Sequence, residues 1–290
     1  MHNIFLTYSQ SKKSIILIIL TVFLFSLMDA AAKILVDTYP SEQVIWARYM
    51  SQTVLSIIVF FPKILKLLAT KFLKIQLIRS SFLFFATFFF FSSLKFLQLA
   101  EVSAMFQVAP LLVTILSGIF LKEQIKRKTW ICVIIGMFGA ILIIRPGSEI
   151  FSIYIIFPLL AAFCYASYVI STRFLSHEES ASTNFLFSSL IGSILASFIV
   201  IPNWVPINTS DMFIFSCFGL LGALGHASLI IAYRLSEASF LAPFNYMNLV
   251  FACILGYYIF DETPQSYTIL GSVIIILSGV YIWIKDRKFS

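Results

Sequence analysis

Eight side chains able to bind or carry charge sit among apolar neighbours in this sequence: Asp29, Arg48, Tyr49, Gln107, Tyr165, His226, Asn245 and Asn248. Asp29 and Arg48 can hold opposite charges. Asp29 and His226 can each carry a proton. The amides of Gln107, Asn245 and Asn248 and the two phenols can hydrogen-bond a polar ligand. The segment "VIWARYMSQ" poses the question most sharply, because it keeps Arg48 between greasy flanks.

The elements that carry these residues follow from composition. Of 290 residues, 60% are hydrophobic and 11% charged. A soluble domain has about 25% charged residues. Apolar runs near the length of a membrane crossing recur along the chain, and a core of about 30 Å needs about 20 helical residues. That ruler predicts an all-α polytopic membrane protein with ten spans: 14–36, 42–62, 77–99, 101–121, 129–145, 150–173, 181–201, 211–234, 237–260 and 266–284. The net charge of +7 then reads as topology rather than as a nucleic-acid footprint. Thirty-two phenylalanines fit either biased codon use or an aromatic path.

With the N-terminus in the cytoplasm, the inner segments collect sixteen of the twenty basic residues, among them Lys71, Lys74, Arg79, Lys122, Lys126, Arg127, Lys128, Arg173 and Arg234. The outer ends keep Lys33, Lys95 and Arg145. This bias and an even span count place both termini in the cytoplasm of a bacterial inner membrane. Lys12-Lys13, "SIILIILTVFLFSLM" and Ala30 to Ala32 have the layout of a cleavable signal peptide. The segment has a counterpart in the second half, so it reads as the first span.

The halves match at a shift of 136 to 140 residues. Lys33 in "AAAKIL" meets Arg173 in "ISTRFL", Glu123 in "FLKEQ" meets Glu262 in "IFDET", and Gly139 meets Gly279. Arg145 meets Lys285, and "LAEVSAM" meets "LSEASFL". The units are 1–147 and 148–290. Five spans per unit make the second enter from the opposite side, which is an inverted-topology repeat with its site at the midplane between halves.

"LAEVSAMFQVAPLLVTILSGIFLKEQI", "GMFGAILIIRPG" and "LSEASFLAP…FACILGYYIFDET" resemble the EamA-like branch of the drug/metabolite transporter superfamily over nearly the whole chain. The resemblance implies a basket of ten helices around a central cavity, moving a small metabolite without ATP. "LMDAAAKILVDTYPSEQVIWARYMSQ" is similar to bacterial riboflavin transporters, with S-adenosylmethionine carriers nearby.

A charge at the bilayer centre costs from about 2.5 to more than 10 kcal/mol, so it needs a cavity or a partner. Asp29 and Arg48 lie at matching depths of about 10 and 9 Å on neighbouring spans, which predicts an ion pair. The pair serves either as a clamp or as a substrate contact, with Lys33 a competing partner. Trp46 and Tyr49 either pack on lipid or line the cavity. His226, beside Gly219, Gly222 and Gly225, relays protons, binds substrate or bonds a neighbouring helix. Asn245 and Asn248 share a face, and Pro243 and Pro110 kink the ninth and fourth spans. Tyr165 and Tyr168 are further cavity candidates. Glu101 and Glu237 suit helix N-termini, and Glu123 and Glu262 close the same helices near polar loops.

The four cysteines show no paired spacing, which excludes a disulfide framework and a metal site. Phosphate-binding GxxxxGK[ST], HExxH and GxSxG are absent. The expectation is a secondary transporter working by alternating access, with no cofactor and no catalytic residue. Its partners are a small polar solute, riboflavin-like or else an amino acid or S-adenosylmethionine, and the bilayer. It binds no nucleic acid and acts as a monomer or homodimer. The rival class is an intramembrane lipid-modifying enzyme.

Overall fold

The computed structural model describes residues 2–144, 154, 156–176 and 178–262, with scattered residues between 266 and 281. Much of the expected tenth span, the 147/148 boundary, and Arg145, Gly279 and Lys285 lie outside the described residues. The described chain is helical: α1 (His2–Val36), α2 (Ser41–Phe60), α3 (Ile64–Leu68), α4 (Leu73–Leu94), α5 (Leu99–Phe106), α6 (Ala109–Phe120) and α7 (Arg127–Ile144), then α8 (Ile156–Leu175), α9 (Ala181–Val200), α10 (Met212–Leu235), α11 (Ala238–Leu241) and α12 (Met247–Phe260). Among the described residues, eight helices are long and apolar enough to cross a membrane. Ten are therefore not reached within them.

Each long helix buries one side and leaves an apolar stripe exposed. On α1 that stripe is Ile16, Leu20 and Phe23; on α7 it is Ile131, Ile134, Ile135, Phe138 and Ile141. Residues three and four apart share a helix face, and bare aliphatic faces of this extent need lipid rather than water.

The fourth and ninth spans are each broken. Pro110 has no N–H to give the Phe106 carbonyl, and the chain turns at Gln107 and Val108 through bonds to Ala104 and Met105. Pro243 lies in a 3₁₀ turn, Ala242–Tyr246, between α11 and α12. These breaks are where the prolines predict them.

Both broken helices also end alike. Lys122 and Asp261 adopt left-handed backbone, with φ 54° and 53°. The next N–H reaches back six residues, from Glu123 to the Ser117 carbonyl and from Glu262 to that of Gly256. A left-handed residue followed by a bond back into the last turn closes each helix C-terminus. Both also start alike, with Gln98 and Glu237 as extended N-caps. Start and end pairs are each 139 residues apart. The 136-residue match of "LAEVSAM" with "LSEASFL" is therefore out of register: Glu101 is the third residue of its helix, and Glu237 precedes its own.

Two faces close the bundle. On one, Ser14 bonds Ser236, Thr70 bonds Glu179 and Arg173 faces Glu123, so the lysine-rich loops gather there. On the other, Lys33 bonds Glu262 and Gln43 trades bonds with the Val205 backbone. There the Tyr39 phenol donates to Asp211 at 2.6 Å, which pushes its pKa above the ordinary phenol value. We call these the basic face and the opposite face.

Candidate functional site

A cavity of about 80 Å³ lies at the junction of α1, α2, α4, α8, α10 and the two helix breaks. Asp29, Arg48, Gln107, Tyr165, His226, Asn245 and Asn248 all line it. Phe25, Phe90, Phe91 and Phe106 supply apolar wall. Tyr49 does not line it. That phenol is fully buried behind the wall, bonded to Thr87 at 2.8 Å and to the Leu83 carbonyl at 3.0 Å. Trp46 points away as well, to Ser197 and the Trp204 ring.

Each helix presents its polar residue for a local reason. On α1, Val22, Phe25 and Asp29 recur at three- and four-residue steps, so one stripe faces the cavity. On α10, Gly225 leaves room for the Phe25 ring, which a Cβ there would meet at 2.5 Å. That close approach lets Phe25 lie on His226, ring centres 4.8 Å apart. Gly222 likewise sits under the Arg48 side chain.

Arg48 is 4% exposed and its charge must be met inside the protein. It donates to Thr87 and reaches His226 Nε2 at 2.5 Å. Thr87 gives its own proton to the Leu83 carbonyl, leaving lone pairs for the guanidinium. The Tyr49 and Phe91 rings lie 5.0 and 5.7 Å from the Arg48 guanidinium carbon. The expected Asp29–Arg48 ion pair is not formed. Ion pairs form instead between Lys33 and Glu262 at 2.5 Å and between Arg173 and Glu123 at 3.7 Å. Matching depth sets two side chains at one level, but their direction around the helix decides contact. Lys33, the competing partner, has turned to Glu262.

The amides are partly engaged. Asn248 donates to Ser26 at 3.0 Å. Asn245 accepts weakly from Tyr165 at 3.4 Å and donates to Tyr233 at 3.3 Å. Four buried atoms in the lining have no partner: Arg48 Nε, Gln107 Nε2, His226 Nδ1 and Asn248 Oδ1. Buried polar atoms are rarely left so without a reason. Because His226 Nε2 accepts from Arg48, its proton sits on Nδ1. The wall therefore offers three free donors and one free acceptor, with the Asp29 carboxylate beside them. Such a wall can hydrogen-bond both donor and acceptor edges.

Sequence reasoning missed the role of Arg79, which it counted only among the basic residues of the inner segments, at the start of the third span. Arg79 is 0% exposed, six residues into α4, and donates to Gln76, Thr172, the Asn184 carbonyl and Ser188. Its guanidinium carbon lies 5.1 Å from the centre of the Tyr168 ring. The acceptors come from three helices, so no local pattern announces them. Tyr168, an expected cavity residue, packs there with its hydroxyl unpartnered.

The sequence model of the EamA-like transporter family matches residues 12–145 and 152–284. The chain is 29% identical over 188 residues to a riboflavin transporter of Vibrio cholerae, an alignment that covers 64% of this chain and 63% of that protein. It is 25% identical to an S-adenosylmethionine uptake transporter of Rickettsia conorii, with 92% of each chain covered. A pseudopaline exporter of Pseudomonas aeruginosa is 24% identical, covering 93% of this chain and 95% of that one. A solved crystal structure superposes with a TM-score of 0.78 over 98% of this chain at 16% identity, a likeness of fold alone.

Proposed function

The chain belongs to the EamA-like transporter family, and on that premise we propose that it is a secondary transporter carrying a small zwitterionic metabolite through the central cavity. One observation carries the choice of solute: Asp29 and Arg48 line the same cavity and make no ion pair with each other. An ammonium placed at Asp29 and a carboxylate placed at Arg48 Nε and His226 Nδ1 would meet both charges. The free Gln107 and Asn248 groups would hold a polar body against the phenylalanines.

Two of the relatives' named solutes differ in kind. Riboflavin, the solute the opening of the sequence suggests, is uncharged at neutral pH and leaves Asp29 unanswered. S-adenosylmethionine bears an amino-acid head with both charges. The cavity chemistry favours the second kind.

Transport works in this reading by alternating access between two inverted five-helix units. Its support is the double match to one family model and the 139-residue recurrence of both helix caps. The direction of the helices supports it too: α1 ends on the opposite face and α8 ends on the basic face, at Lys33 and Arg173. We place the basic face in the cytoplasm of an inner membrane by its lysines. Asp29, the acid in the cavity wall, is the better candidate proton carrier. A proton on His226 Nε2 would remove the acceptor that holds Arg48.

The test is counterflow into sealed vesicles holding purified protein. Labelled S-adenosylmethionine should exchange, and Asp29→Asn should slow it by about tenfold or more, as loss of a charged hydrogen bond does. Exchange of riboflavin with none of S-adenosylmethionine would overturn the zwitterion. Turnover of a labelled lipid with no counterflow would overturn transport in favour of an enzyme.

A further inference from the structure

The two ion pairs join corresponding residues. Lys33 and Arg173 end α1 and α8, and Glu262 and Glu123 follow the left-handed caps of α12 and α6. The carboxylates are nevertheless bonded differently. Glu123 Oε1 and Oε2 accept the backbone N–H groups of Ala238 and Ser239, at 3.1 and 3.0 Å. Those are the first two residues of α11, so the end of one broken helix caps the start of the other. Arg173 lies 3.7 Å from the same carboxylate and donates to the Tyr233 carbonyl at 2.9 Å. Glu237, the N-cap residue, makes no side-chain cap bond of its own.

At the opposite face the counterpart of this cap is unmade. Glu262 Oε1 accepts from Lys33, and its Oε2 is buried without a partner, folded back against Gly256. The N–H groups that correspond to Ala238 and Ser239 are those of Leu99 and Ala100. The start of α5 is closed instead by a reciprocal capping box, in which the Gln98 side chain accepts the Glu101 N–H and the Glu101 carboxylate accepts the Gln98 N–H, so that Leu99 and Ala100 are not its donors.

Resting on the alternating-access reading above, we propose that Glu123 and Glu262 are exchanging latches. When the basic face is shut, Glu123 caps the start of α11 and the α5 start caps itself. When the opposite face is shut, Glu262 caps the start of α5 through Leu99 and Ala100, displacing Gln98 and Glu101. The basic-face latch then opens, and Glu237 is left to cap its own helix. The orphaned Glu262 oxygen is the acceptor held in readiness for that second state. Each latch joins the two units, so making one while breaking the other couples the faces.

The experiment reads which face opens, independently of solute. The four native cysteines are replaced, and a single reporter cysteine is placed at Ala86 in the cavity wall. Reaction with a membrane-impermeant maleimide is measured in right-side-out and inside-out vesicles without substrate. A separate cysteine at the loop residue Lys71 identifies the basic side. Glu123→Gln should raise the ratio of basic-side to opposite-side labelling about fivefold, the scale of one lost N-cap. Glu262→Gln should lower it about fivefold, and the double variant should return near the parent value. Gln98→Ala, a change at an exposed cap that removes no latch, should shift the ratio in the same direction as Glu123→Gln. If Glu123→Gln does not insert, Gln98→Ala and Glu262→Gln still decide the matter by their opposite signs. Shifts of one sign, or no shift in folded protein, overturn the latches. Opposite shifts without counterflow of any solute would keep the latches and sink the transporter reading; counterflow with an unmoved ratio would do the reverse.

Discussion

Arg48 and His226 hold each other across the α2–α10 interface, Nη2 to Nε2 at 2.5 Å. The ring acts there as an acceptor. Its other nitrogen is left as a donor toward the cavity. A positively charged imidazole would lack that acceptor and would set two cations in contact inside lipid, where charges are costly.

The first expectation concerns that ring. His226→Gln preserves an acceptor for Arg48 and should keep counterflow within about threefold of the parent. His226→Phe strands the guanidinium and should lower it about tenfold or more. Rates measured from about pH 6 to 8 should keep their profile in His226→Gln, since histidine would titrate in that window. A flattened profile would make His226 the proton carrier.

Arg48→Lys keeps the charge and loses the fork. A lysine cannot meet Thr87 and His226 and still offer a free donor along the same plane. Transport should fall about tenfold or more while membrane insertion and elution as a single species are retained. An Arg48→Ala protein that transports normally would remove this residue from the site.

Tyr49 stands behind the cavity wall, so Tyr49→Phe should transport like the parent. Loss of its bonds to Leu83 and Thr87 should cost about 1 kcal/mol, read as a lower unfolding temperature in detergent. Weaker solute binding at unchanged stability would return Tyr49 to the wall.

Arg79→Lys offers three donors to four acceptors and so leaves at least one unmatched, at about 1–3 kcal/mol. The unfolding temperature should drop, while counterflow per folded molecule stays near the parent. A change in solute preference instead would mark Arg79 as part of the path.

Gly192 lies against the Tyr49 ring, and a Cβ there would come within 2.1 Å of it. The ring is buried and pinned by its hydroxyl. Gly192→Ala should therefore cost about 1–3 kcal/mol as overpacking, visible in the same thermal scan.

Eight of the ten expected spans and both helix breaks were legible, because apolar length and proline are local signals. The sequence also carried seven of the cavity residues, since a polar group in an apolar helix has few places to go. It could not carry azimuth. Asp29 and Arg48 share a level without sharing a contact, and Lys33 found a partner 229 residues away. Arg79 was hidden because a basic residue near a span end looks like a loop charge until three helices close over it. The repeat register slipped because "LAE" and "LSE" match as letters, whereas the backbone matches Gln98 with Glu237 by cap conformation.

The missing amide at Pro110 removes the usual helical donor to the Phe106 carbonyl, beside the cavity. An acceptor of that origin belongs to the main chain and persists whatever side chain Phe106 or Gln107 becomes. Solute choice could then drift through replacements around a constant peptide anchor, which would let one scaffold serve different solutes without rebuilding its hinge.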